Sequence, residues 1–216
     1  MSESSGTEPM RFVLATGNPD KAKEITAVLE DASLAVELEP RDASIPEIVE
    51  SGATLEENAR LKAIEVSTWT GRAAIADDTG LEVDALGGDP GVFSARFAGE
   101  NATYAENVAL LLARLDGVPE AERSARFSTV AIASWPDGRE VAALGTVEGR
   151  IATAPRGTGG FGYDPVFVPR DGDGRTFAEM SATEKHACSH RGRAFRTLAD
   201  GLRVIAGLGD GSKTDG

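Results

Sequence analysis

Apolar positions along this chain alternate between two spacings, and the changes of spacing mark its elements. Arg11-Phe12-Val13-Leu14-Ala15 is a short apolar run that suits a buried strand. Straight after it, Asn18 is a good N-cap and Pro19 fits the first helical position. Ala22, Ile25, Val28 and Leu29 then recur at helical spacing. Thr54-Leu55-Glu56-Glu57 is a capping box that opens a helix to about Trp69, and Ala73-Ala74-Ile75-Ala76 is a short strand. Thr103-Tyr104-Ala105-Glu106 is a second capping box, ahead of Ala109, Leu112 and Leu115 on one helical face. Phe127 to Trp135 and Arg139 to Val147 flank the turn Pro136-Asp137-Gly138 and predict a hairpin. Pro165 to Pro169 is another short strand, and Ser189 caps a last helix carrying Ala194, Leu198, Leu202 and Ile205. Strand–helix alternation with an antiparallel hairpin predicts an α/β protein with a mixed sheet.

The 216 residues are enough for one large domain, or two lobes sharing a core, and 41% hydrophobic content is a globular value. The folded part is placed at residues 10–206, between polar tails at 1–9 and 207–216 that read as disordered. The first nine residues are polar and acidic, unlike a secretory signal or a basic transit peptide. No apolar run approaches the roughly 20 residues that span a bilayer. A lone cysteine, Cys188, rules out an internal disulfide framework and fits a reducing cytoplasm, with the thiol packed as a small apolar group.

Charge narrows the partners. A net charge of -13 argues against nucleic acid and membrane surfaces, which need a basic field. An anionic small substrate remains open, provided that basic residues gather locally and a metal ion neutralises part of the load. The turn Thr16-Gly17-Asn18-Pro19-Asp20-Lys21 is the first such place: a strand entering a helix aims backbone N–H groups and a dipole at one point, with Lys21 adding a charge. Asp77-Asp78-Thr79-Gly80 follows directly on the strand Ala73–Ala76, at the kind of strand end where α/β sheets bind ligands. Adjacent strand side chains point to opposite faces, so one aspartate is expected in a cleft and the other on backbone. Glu47, Glu50, Glu56 and Glu57 supply further carboxylates, an oxygen-rich set that suits magnesium. Asn58 and Lys62, four apart on a helix, share a face.

Gly157-Thr158-Gly159-Gly160-Phe161-Gly162 formally matches the dinucleotide fingerprint, but Tyr163 to Val168 after it reads as extended rather than helical, so that reading fails. A glycine loop carrying Phe161, Tyr163 and Asp164 remains, able to stack on a base and accept its ring N–H groups. Lys185-His186-Ala187-Cys188-Ser189-His190-Arg191 concentrates cationic donors at a helix start; zinc, a serine hydrolase elbow and a P-loop are all unsupported.

As a set these segments resemble the inosine/xanthosine triphosphate pyrophosphatases. The match runs from Leu14-Ala15-Thr16-Gly17-Asn18 with Lys21 and Glu24, through Ser51-Gly52-Ala53-Thr54 with Glu57-Asn58-Ala59 and Lys62-Ala63, to Ala76-Asp77-Asp78-Thr79-Gly80-Leu81. It continues with Asp84 to Gly88, Pro90 to Arg96, Gly157 to Pro165, Ala178-Glu179-Met180, Glu184-Lys185 and Ser189-His190-Arg191. The resemblance implies a long twisted mixed sheet flanked by helices, with two lobes and a nucleotide cleft between them, assembled as a homodimer. It implies magnesium-dependent hydrolysis of ITP, dITP and XTP to the monophosphate and pyrophosphate. By position, Asp78 is the general base; Thr16, Gly17, Asn18, Pro19, Asp20 and Lys21 hold the phosphates with Thr79 beside them. Phe161, Gly162, Tyr163, Asp164, Lys185, His190 and Arg191 meet the base and the rest of the nucleotide. Asn58 and Lys62 complete the expected set, with Asp78 and either Glu47 or Glu50 on the metal. Thr79 stands where the family often has serine, and Phe97 where tyrosine is frequent. Two roles stay open for Asp78, base or chiefly metal ligand. His190 and Arg191 are expected to give donors to a 6-oxo purine and to oppose the 6-amino group of adenine.

Overall fold

A computed structural model describes residues 8–46 and 48–208 of the 216. Glu47 and most of the two tails expected from the sequence lie outside the described residues. In chain order the elements are β1 (Met10–Leu14), α1 (Pro19–Asp31), β2 (Val36–Pro40), α2 (Leu55–Thr70), β3 (Ala74–Val83) and β4 (Pro90–Gly91). Then follow α3 (Tyr104–Arg114), β5 (Ser124–Ser134), β6 (Glu140–Ile151), β7 (Phe167–Pro169), α4 (Ala182–Cys188) and α5 (His190–Ile205). The strands form one mixed sheet in the order β2-β1-β3-β5-β6-β7, with β4 paired on β3. β1 lies parallel to β2 and β3, while β3, β5, β6 and β7 run antiparallel in turn. The expected α/β class and hairpin are present.

Local chemistry sets the helix starts. Asn18 Oδ1 accepts the backbone N–H groups of Asp20 and Lys21, and Pro19 needs no donor at the first position. Thr54 and Thr103 each form a full capping box, with Glu57 and Glu106 respectively.

Four expectations change. β3 does not stop at Ala76; it continues through Asp77 and Asp78 to Val83, paired with β5 along its whole length. On α3 the buried face is Val108, Leu111 and Leu115, with Leu112 half-buried and Ala109 exposed. After the glycine loop only Phe167–Pro169 is strand, because Tyr163 to Val166 forms a turn, and no helix opens there. At the end of α5, Ala194, Leu198 and Leu202 are buried but Ile205 is not.

Three apolar clusters pack the sheet. Phe12, Ile25, Leu29, Phe195, Leu198 and Leu202 join α1 and α5 to one face. Ala59, Ala63 and Val66 of α2 cover Ala74, Ala76 and Ile132 on the other. Phe127, Phe167, Phe177, Leu81, Leu111 and Leu115 fill the far half under α3. β3 and β5 belong to both halves: Ile75 and Ala131 sit in the first cluster, Leu81, Val83, Ala125 and Phe127 in the last. α5 rests directly on β6 at Gly145, where an added Cβ would lie 2.2 Å from the His190 carbonyl oxygen and 2.3 Å from the Ala194 nitrogen. That close approach seats the N-terminus of α5 on β6, level in the register with Thr79 of β3, within reach of the Arg191 side chain.

Candidate active site

Because β3 continues through the aspartate pair, their side chains leave the sheet on opposite faces. Asp77 Oδ2 meets Arg191 of α5 (Nη2 at 3.0 Å, Nε at 3.3 Å) and Lys21 Nζ of α1 at 3.3 Å. Asp78 Oδ1 meets Lys62 Nζ of α2 at 2.8 Å, and the same ammonium lies 2.8 Å from Glu50 Oε1. Neither aspartate binds backbone as expected for one of them; cations take both. Thr79 Oγ1 accepts from Arg191 Nη2 at 3.0 Å and lies 2.7 Å from Thr129 Oγ1.

A carboxylate outside the predicted set ties this centre together. Glu24 of α1 accepts Arg191 Nη1 on Oε2 at 2.7 Å, from 167 residues away, and Lys185 Nζ on Oε1 at 2.5 Å. Lys185 also bonds Asp164 Oδ2, which accepts the Phe161 N–H at 2.8 Å. Its ammonium lies 4.9 Å from the centre of the Phe161 ring. The spacing of Lys21 and Glu24, three apart on one helix face, was the available signal for Glu24.

Burial and charge then compete at each group. Burial pushes the Asp77 carboxyl upward, but Lys21, Arg191 and Lys62 outweigh it and hold it far below the usual carboxylate range. At Asp78 burial prevails over Lys62 and Lys21, with Glu50 adding to it, and the pKa is raised. Burial also raises Asp164 and lowers Lys21. Lys62 is raised, since Asp78, Asp77 and Glu50 together exceed the effect of its burial. His190 is driven well below its ordinary value by burial, with Arg191 and Lys185 adding to the shift, so its imidazole is neutral.

One cleft is lined by Asn18, Lys21, Glu50, Asp78, Thr79, Phe161, Gly162, Tyr163, Asp164, Lys185, His190 and Arg191, with Lys62 bonded to two of its walls. The expected convergence of basic residues therefore occurs. Several details differ from expectation. The N–H groups of Asp20 and Lys21 are taken by Asn18 itself, and that of Asn18 by Thr16 Oγ1, so the turn offers the cleft side chains rather than those amides. Thr16, Gly17 and Pro19 line a neighbouring hollow with Arg41, and Asp20 lines neither. Asn58 is buried with its Oδ1 on the Gly52 N–H at 2.8 Å, which braces the loop before α2. Tyr163 spends its hydroxyl on the Ser94 carbonyl, 2.9 Å away. Arg191 commits Nε, Nη1 and Nη2 to Asp77, Glu24 and Thr79, leaving one Nη1 hydrogen for any ligand. His190 stacks on Phe127 at 4.4 Å and 13°, and its Nδ1 has no partner. Cys188 is half-buried against Met180. Like Glu24, which lies in the matched stretches without an assigned role, Ser94, Tyr104, Asn107 and Phe127 were given no place in the site, and these four line the cleft.

The charges at the centre suit a divalent cation that arrives with phosphate. Glu24, Glu50, Asp77, Asp78 and Asp164 set five carboxylates against five cations, Lys21, Lys62, Lys185, Arg191 and, beside Glu50, Arg96, so the centre has no surplus of positive charge. A polyphosphate tail would need further positive charge beside them. Asp78 Oδ2 is buried with no hydrogen-bond partner, and Glu50 Oε2 has Arg96 only at 3.7 Å. Among the described residues no group of three or more His, Cys, Asp or Glu could hold a metal by itself. Magnesium often takes one or two carboxylates and fills its shell from substrate phosphates, and Asp78 and Glu50 are the two with an oxygen to offer on the cleft wall.

Known proteins resemble this chain along most of its length. The model of the Ham1 family matches residues 12–201. A dITP/XTP pyrophosphatase of Streptomyces avermitilis is 48% identical over 199 residues, covering 91% of this chain and 99% of that protein. One from Thermus thermophilus is 49% identical over 195 residues, 90% of this chain and 92% of that protein. The solved structure of a HAM1 protein from Coxiella burnetii superposes with a TM-score of 0.80 at 41% identity, over 90% of this chain and 99% of that one.

Proposed function

The chain belongs to the Ham1 family, and from that membership we propose that it hydrolyses the non-standard purine nucleoside triphosphates ITP, dITP and XTP to the monophosphate and pyrophosphate. It is a nucleoside-triphosphate pyrophosphatase. The observation that carries the reading is the meeting of Lys21, Asp78, Lys185 and Arg191 around a single cleft, although they come from four elements.

Lys21 and Lys62 would counter charge on the phosphates, and Asn18 Nδ2 would bond a phosphate oxygen. Asp78 would use Oδ2 to orient the attacking water and accept its proton, while Oδ1 stays with Lys62; burial raises its affinity for that proton. Attack falls on the α-phosphorus, and pyrophosphate leaves with the bridging oxygen. Glu50 would hold magnesium, whose charge would stabilise the leaving group; where Asp78 joins it on the metal, Asp78 gives up the role of base. Phe161 would stack on the base. The free Nη1 hydrogen of Arg191 and the single N–H of neutral His190 are the donors available to a 6-oxo group. Adenine, which presents an amino group there, would leave them unpaired.

We also assign the protein to the cytoplasm, where nucleotide pools are kept, and to a homodimer. Trp69 (60% exposed) and Ile64 (45%) flank an apolar groove with Ile45, Pro46 and Ile48, the kind of patch a second copy covers. Pyrophosphate release from ITP, dITP, XTP, GTP and ATP, with magnesium and with a chelator, tests the activity. Turnover of the first three is expected to need magnesium and to exceed that of ATP by several orders of magnitude. Equal rates with ATP would defeat the donor argument.

A further inference from the structure

Tyr104 stands at the mouth of the cleft and belongs to none of the motifs that pointed to this site. It occupies the first position of α3, held there by the Thr103 capping box, and it is 42% exposed. Its hydroxyl accepts a hydrogen bond from Asn18 Nδ2 at 2.9 Å. The orientation of that amide is fixed independently, because Asn18 Oδ1 must face the Asp20 and Lys21 N–H groups to cap α1. The Tyr104 ring also leans on Phe161, 5.8 Å between centres at 39°. Three segments that carry no covalent link nearby, the β1–α1 turn, the start of α3 and the glycine loop, are thus drawn together by one side chain. The free space beneath them is about 120 Å³. Sites for drug-sized ligands hold roughly 300–1,000 Å³. Asn18, Tyr104 and Phe161 all line this cleft, so a nucleoside triphosphate that fills it meets these contacts.

We propose that Tyr104 is a nucleotide-binding residue that also latches the cleft: entry breaks its hydrogen bond to Asn18, frees that amide for the phosphates, and leaves the tyrosine ring to pack beside Phe161 on the base. The inference rests on the nucleotide reading of the cleft given above. It separates two parts of one side chain. The hydroxyl holds the cleft shut and competes with substrate, whereas the ring adds aromatic surface to the bound state.

The two parts give opposite signs, which a purely structural tyrosine would not. Kinetics of pyrophosphate release from ITP in the presence of magnesium, with thermal melting to verify folding, are compared for the wild-type chain, Tyr104→Phe and Tyr104→Ala. Tyr104→Phe loses the latch and keeps the ring, so KM is expected to fall about threefold, the scale of one net hydrogen bond. Tyr104→Ala loses both, and KM is expected to rise roughly tenfold, the scale of one base–aromatic stack. In both, kcat should stay near the wild-type value, since the contacts are made equally in ground and transition states. A KM that moves the same way in both variants, or in neither, overturns the proposal while leaving the activity intact. A wild-type chain that releases no pyrophosphate from any nucleotide overturns the nucleotide reading, and the latch with it.

Discussion

Asp77 and Asp78 are adjacent, equally acidic in sequence, and opposite in what they do. Asp77 anchors Arg191 and Lys21 and is held ionised by them; Asp78 is raised by burial and is the one of the pair that lines the cleft. Replacement of Asp78 by Asn should lower kcat by about 10²–10⁴, the usual worth of a positioned base, with melting temperature retained; substantial residual turnover would refute the role. Glu24 gives a test of the other kind. Burial raises its carboxyl, but Lys185 and Arg191 outweigh that and lower it, so ionised Glu24 stabilises the fold. That contribution is present above the ordinary glutamate range and is lost as pH falls through the depressed folded-state value. Glu24→Gln is therefore expected to lose about 3–5 kcal/mol at neutral pH, the scale for stripping one partner from a buried pair, and the gap to wild type should narrow below about pH 4.5. Denaturant melts of both proteins between pH 3 and 7 would measure it. Residue types and spacing made Lys21, Asp78, Lys185 and Arg191 legible. They could not show that Arg191 is mostly spent on Glu24 and Asp77, because that partnership exists only once α1 and α5 lie side by side.

Elements were legible where their signals are local. Both capping boxes, the Asn18-Pro19 start and the Pro136-Asp137-Gly138 turn work within a few residues and are present as expected. β3 was read too short because Asp77-Asp78-Thr79-Gly80 looks like a turn when its partners are unknown. The strand persists since Lys62, Lys21 and Arg191 arrive from three helices to pair its charges, and β5 pairs its backbone. α3 was rotated by one position for a related reason: its apolar residues permit more than one stripe, and only packing against Leu81 and Phe127 selects Val108, Leu111 and Leu115. The seat of α5 on β6 offers an element-scale test. Gly145→Ala places a methyl group into the His190 carbonyl and the Ala194 nitrogen, so α5 must lift. A cost of about 1–3 kcal/mol is expected, a fall of roughly 2–12 °C in melting temperature, with pyrophosphate release reduced as His190 and Arg191 shift. Wild-type melting would show that the approach is looser than it looks.

For the molecule as a whole, the open groove beside Trp69 and Ile64 makes the assembly testable. Paired substitutions Ile64→Glu and Trp69→Glu are expected to halve the mass seen by light scattering and leave the far side of the sheet undisturbed. A wild-type mass of one chain would overturn the homodimer, and a two-chain mass unchanged by the substitutions would place its interface elsewhere. The α/β class and mixed sheet followed from the sequence pattern, but strand order did not, since β2 carries only Val36 and Leu38, alternating with glutamates, as a signal and β4 is two residues long. The deepest property of the architecture is that β3 and β5 run unbroken from one apolar cluster into another. Strands that continue from one cluster into the next leave a change of twist as the way for the two ends of the sheet to move relative to each other. Such a change would displace Asp77 and Asp78, near the middle of β3, less than Tyr104 and Phe161 at the mouth of the cleft. Grip on the nucleotide can therefore drift under mutation while the reacting atoms keep their spacing.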